Sequence, residues 1–130
     1  MKEICIKMEK EKIPSINSII DEMMSCSEKD KIGMIASHVG IVRGYSLDGK
    51  KVKGLSISFD RGVIEHIVKE IRSRQGIVEV DVRLNEGDLE VGDWIMLVMV
   101  AGETRDRVFP ALMDMVDMIK RDASKKKEIT

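Results

Sequence analysis

Residues Val78 to Ala101 read VEVDVRLNEGDLEVGDWIMLVMVA, and two strands can be recognised in them. Val78, Val80, Val82 and Leu84 alternate strictly with Glu79, Asp81 and Arg83, the period-two pattern of a strand with one face in a core and the other in water. Trp94 to Ala101 is an unbroken apolar run, which suits a strand buried on both faces. The Gly- and Asp-rich segment between them, NEGDLEVGD, reads as a connection.

Upstream, Asp60 is placed to cap a helix whose Val63, Ile64, Ile67, Val68 and Ile71 recur with helical period, with Glu65 and Lys69 as an outward pair and Gln75-Gly76 as its close. Before it, Leu55, Ile57 and Phe59 alternate with Ser56 and Ser58 as a half-buried strand, entered from a loop holding the hairpin signal Asp48-Gly49. IGMIASHVGIV, Ile32 to Val42, is nearly uncharged and broken by Gly33 and Gly40, so it reads as a buried strand that Arg43 ends. Pro14 and Ser15 start a helix to about Ser25 with Ile16, Ile19, Ile20 and Met23 on one face, and Ile4, Cys5, Ile6 and Met8 read as an edge strand. Downstream, AGETRDR is a loop, and Pro110 suits the first turn of a last helix in which Val108, Leu112, Met115 and Ile119 share a face. That order predicts an α+β fold, a mainly antiparallel sheet with packed helices, in a single domain over residues 1–130.

The 130 residues, 43% hydrophobic and 35% charged, argue against global disorder and are enough for one core. Aromatic residues are 3%, namely Tyr45, Phe59, Trp94 and Phe109, which argues against base stacking on aromatic platforms. The net charge of -1 is uneven: Lys120, Arg121, Lys125, Lys126 and Lys127 face Asp122 and Glu128 at the C-terminal end, +3, while the other 17 basic and 21 acidic residues give -4. A basic tail over residues 121–130 is commonly a solvated run; here it is also a candidate contributor to an anion site. Cys5 and Cys26 form no CxxC or Cys/His cluster, so neither a disulfide framework nor a metal site is expected. The apolar runs are too short to span a bilayer and the first residues lack a signal-type apolar region, from which a cytoplasmic location is expected.

His38 lies in a strand pattern and His66 on a polar helix face, which poorly supports a Ser/His/Asp triad, and both GxxxxGK[ST] and GxGxxG are absent. What remains is a set of cations at element ends: Arg43 after a strand, Arg105 before a helix, and Lys120 and Lys127 after it. Arginine offers a planar fork for phosphate or carboxylate, and lysine a point charge and an amine for acid, base or nucleophilic work.

With these residues in view, Ile32 to Glu128 resembles the catalytic (large) subunit of molybdopterin synthase, the MoaE family. IGMIASHVGIVR is similar to the family's Phe-x-Gly-x-Val-Arg strand, with His38 at the Phe position and Gly40, Val42 and Arg43 retained. GDLEVGD, Gly87 to Asp93, resembles its Gly-x-Leu-x-x-Gly-Asp/Glu turn, and Lys120 and Lys127 stand seven apart as its two active-site lysines do. The chain departs from the family at Thr104-Arg105, where a His-Arg pair is usual, at Ser124 to Lys127, where Pro-x-Trp-Lys is usual, and at Ser58 and Asp60, where acidic and tyrosine residues are usual.

The resemblance implies an α/β-hammerhead fold and an enzyme of molybdenum cofactor biosynthesis. It would transfer sulfur from the C-terminal Gly-Gly thiocarboxylate of a small ubiquitin-like carrier to cyclic pyranopterin monophosphate. Lys120 and Lys127 would be catalytic and Arg43, Arg105, Thr104 and Lys126 substrate-binding, with no metal and no cofactor. The partners implied are a second copy and the carrier, a homodimer within a heterotetramer, with Arg105 serving the neighbouring subunit's pocket. The alternative is a divergent noncatalytic paralogue that binds the carrier or a phosphorylated ligand.

Overall fold

A computed structural model describes residues 12–130; the edge strand expected at Ile4 to Met8 lies outside them. The elements are α1 (Ile16–Met23), β1 (Met34–Ile41), β2 (Gly54–Phe59), α2 (Arg61–Arg72), β3 (Ile77–Leu84), β4 (Gly87–Glu90), β5 (Trp94–Gly102), α3 (Arg105–Met118) and β6 (Ser124–Ile129). The strands form two three-stranded antiparallel sheets, β1-β5-β3 and β4-β2-β6, so the α+β expectation is met with two sheets rather than one.

β5 is the centre of the first sheet, and burial on both faces is why its sequence is an uninterrupted apolar run. Met96, Val98 and Val100 join the main core with Ile64, Ile67, Val68 and Ile71 of α2 and Val108, Leu112, Met115 and Val116 of α3. Leu97, Met99 and Ala101 face the other way, onto Ile19 and Met23 of α1. Ser15 accepts a hydrogen bond from the Ser18 amide at the start of α1, and Asp60 from the Val63 amide at the start of α2, as both sequence signals require.

The water-facing side expected for β3 is corrected. Glu79, Asp81 and Arg83 pair in register with Ala101, Met99 and Leu97, on the face that α1 covers, and all three are buried. They persist because their charges are matched: Arg83 Nε donates to Asp81 Oδ1 at 2.6 Å, Arg83 Nη2 lies 3.5 Å from Glu22 of α1, and Arg72 Nη2 lies 3.1 Å from Glu79.

Three further expectations change in detail. The NEGDLEVGD connection holds a short strand, β4, whose approach to β2 requires glycine: a Cβ at Gly54 would lie 2.4 Å from the Leu89 carbonyl oxygen. The AGETRDR loop shrinks to Glu103-Thr104, because β5 continues to Gly102 and α3 begins at Arg105, which leaves Pro110 inside the helix rather than in its first turn. Residues 121–130, read as a tail, form the end of a wide five-residue π turn (Ile119–Ala123) and then β6, which pairs with β2 from Phe59↔Ser124 to Gly54↔Ile129. A lysine-rich segment suits that place because β6 is an edge strand, where lysines protect an open ladder from further pairing.

Candidate functional site

A cleft of about 540 Å³ opens where the end of β1 meets the second sheet. Its β1 wall is set by a register shift between Gly40 and Ile41: Gly40 pairs with Met96 but Ile41 with Trp94, so the strand bends as it leaves the sheet. Val42 is then clamped between two backbone bonds, its amide to the Asp93 carbonyl at 2.9 Å and its carbonyl from the Gly92 amide at 2.9 Å. That clamp carries the next residue, Arg43, to the cleft. The hairpin after it is closed by the Ser46 amide to the Lys50 carbonyl at 2.8 Å and the Val52 amide to the Gly44 carbonyl at 2.9 Å, with Gly49 at φ +85°. Ser46 also hydrogen-bonds Asp48, which holds that carboxyl below the usual range. This hairpin places Tyr45 and Leu47, 63% and 90% exposed, on the cleft rim.

The opposite wall comes from the C-terminal end. The π turn buries Ile119 and Ala123 and leaves Lys120 exposed between them, directed to the cleft. Its wide form is fixed by the Ser124 amide bonding to the Ile119 carbonyl, by the Ser124 hydroxyl donating to the Lys120 carbonyl at 2.8 Å, and by the Asp60 amide bonding to the Ala123 carbonyl at 2.8 Å. Along β6 the alternating residues Ser124, Lys126 and Glu128 line the cleft, and Leu55 and Ile57 of β2 supply apolar floor.

Of the residues expected to act together, Arg43, Lys120 and Lys126 therefore meet in one cleft, and among the described residues no acidic side chain forms an ion pair with any of them. Lys127 does not line it; strand alternation puts it on the other side of β6, opposite Ser56 of β2. Thr104 and Arg105 lie at the far end of α3, beside a shallow depression with Gly33, Met34, Glu103 and Asp106. Lys120 stands fifteen residues after Arg105, about 22 Å at the helical rise. At that end the Thr104 side chain hydrogen-bonds Asp106 and holds its carboxyl below the usual range. The cleft also contains His38, whose ring is held below the ordinary histidine value by burial and then by the Lys120 charge. Its place in an apolar run hides it from a search for site residues in the sequence; its polarity within that run is the one signal available.

Among the described residues no helix is long and apolar enough to cross a membrane, and no three His, Cys, Asp or Glu side chains gather where they could hold a metal ion.

Comparison with known proteins bears on this arrangement. An uncharacterized protein of Methanocaldococcus jannaschii is 28% identical over 106 residues, 77% of this chain and 89% of that protein. The structure of a molybdopterin biosynthesis MoaE protein from Burkholderia ambifaria is similar with a TM-score of 0.75 at 25% identity, over 98% of this chain and 84% of that one. At 22% and 17% identity the likeness is one of fold: molybdopterin synthase from Staphylococcus aureus gives a TM-score of 0.75 over 99% of this chain and 92% of that one. A complex of subunits 1 and 2 of molybdopterin-converting factor from Helicobacter pylori gives 0.67 over 95% and 88%. The model of the MoaE protein family matches residues 10–122, a span that includes Arg43 and Lys120, and the chain belongs to that family.

Proposed function

We propose that this protein transfers sulfur from the C-terminal thiocarboxylate of a small ubiquitin-like carrier to cyclic pyranopterin monophosphate, forming the dithiolene of molybdopterin. The observation that carries this reading is the meeting of Arg43, Lys120 and Lys126 in one cleft of a MoaE-family chain, with no ion pair to consume their charge among the described residues. Family membership supports a role in molybdenum cofactor biosynthesis. The Helicobacter pylori neighbour, a complex of two subunits, supports a second subunit as partner, here the carrier.

In this reading the Arg43 guanidinium grips the substrate phosphate through paired charge-assisted bonds, each contributing about 1.5–3 kcal/mol. Lys120 is central, its cation stabilising the sulfur and oxygen anions that form during transfer, and Lys126 holds substrate from β6. The apolar rim of Tyr45 and Leu47 accepts the carrier's extended tail. Arg105 and Thr104 serve the cleft of a second copy, since they lie too far away to serve their own. No cofactor takes part, and the site of action is the cytoplasm. The position of Lys127 outside the cleft favours a second reading, a carrier-binding module without turnover.

Substitution separates the two. Lys120→Ala is expected to reduce product formation by at least about 100-fold while thermal unfolding and carrier binding stay as in wild type. Unchanged turnover would overturn the assignment of Lys120, and carrier binding by wild type without product would establish the noncatalytic module.

A further inference from the structure

His38 is the imidazole of the cleft and has no part in the roles above. It stands opposite Val98 in the β1–β5 ladder, on the face of the sheet that α2 and α3 cover, with Gly40 next on the same side. A Cβ at Gly40 would sit 3.6 Å from His38 Nε2, so the ring edge lies against backbone. Nε2 is shielded from solvent and meets no hydrogen-bond partner among the described residues, so Nδ1, which is not so shielded, is the ring nitrogen left to meet a water in the cleft. Among the described residues, the other charged or titratable groups lining the cleft are Lys120 from the π turn, Lys126 and Glu128 from β6, and Arg43 and Tyr45 from the segment after β1; β2 and β5 contribute apolar residues and glycine. Burial first, and then the Lys120 charge, hold the ring below the ordinary histidine value, which favours the neutral form that can accept a proton.

We propose that His38 is the general base of this cleft, taking the proton of the water that frees the carrier. The inference rests on the sulfur-transfer reading and deepens it. Once the thiocarboxylate sulfur has bonded to the substrate, the carrier's acyl carbon is still joined to that sulfur. Water oxygen bonds to the acyl carbon and the carbon–sulfur bond breaks. The sulfur stays on the substrate as a thiolate beside the Lys120 cation, and the carrier leaves as a carboxylic acid that ionises in solvent. The proton lost by the water goes to His38, and no electron is gained or lost.

The test follows product formation and intact carrier mass from about pH 5 to 9 for wild type, His38→Phe and His38→Gln. Wild type should lose rate on the acid side with a midpoint below the ordinary histidine value of 6.5. Both variants should lack that limb, run about 100-fold slower and accumulate carrier still bonded to substrate. If the phenylalanine variant fails to fold, the glutamine variant, which keeps a hydrogen-bonding side chain of similar reach, gives the answer alone. An acid limb retained in the variants, or full rate in His38→Gln, would overturn the proposal while leaving the sulfur-transfer reading standing. A wild type that makes no product with a thiocarboxylated carrier would overturn both.

Discussion

Arg43 and Lys120 are legible in the sequence because each stands two residues past the end of an element, and the structure brings both to one cleft. Lys126 and Lys127 could not be told apart that way. Their facing depends on the phase at which β6 leaves the π turn, and a turn one residue wider than an α-turn shifts that phase without any mark in the spacing of seven. Lys126→Ala is therefore expected to weaken apparent substrate affinity more than Lys127→Ala, and the opposite ranking in a titration with substrate would reverse the assignment. His38 also has a consequence for stability. Its folded value lies below the unfolded one, so the folded state binds less proton, and stability is lost as pH falls from about 6.5 through the folded value. Denaturant unfolding at stepped pH should show this loss in wild type and a flatter response in His38→Phe. Asp60, which caps α2, is a simpler case: Asp60→Ala should cost about 1 kcal/mol in the same measurement.

At the scale of elements, the sequence succeeds where burial is one-sided or complete. Ile64, Ile67, Val68 and Ile71 of α2 and the run of β5 are buried as their patterns require. It misleads at β3 because alternation of charge and apolar side chains reports chemistry, not exposure: α1 covers the charged row, and the acids are neutralised by Arg83 and Arg72. Arg83→Ala leaves buried Asp81 without its partner and should destabilise the fold by about 3–5 kcal/mol in denaturant titration. Replacing Asp81 and Arg83 together by valine and leucine should cost far less, and a double variant as unstable as the single one would show that the pair is not self-contained. The C-terminal lysines misled for a related reason, since an edge strand and a solvated tail have the same composition.

At the scale of the whole molecule, α3 separates two cationic places, Arg105 at its start and Lys120 just past its end, by about 22 Å. If a second copy supplies Arg105, inactive Arg105→Ala and Lys120→Ala proteins mixed and re-equilibrated should recover about a quarter of wild-type activity, because half of the random dimers carry one intact cleft of two. No recovery would confine each site to its own chain. The most direct measurement is dithiolene formation from cyclic pyranopterin monophosphate by the purified protein with a thiocarboxylated carrier, read as oxidised pterin product. Sulfur transfer in the Arg43–Lys120–Lys126 cleft predicts product that requires the carrier and is lost in Lys120→Ala. Carrier bound without product, or product undiminished in Lys120→Ala, would contradict it.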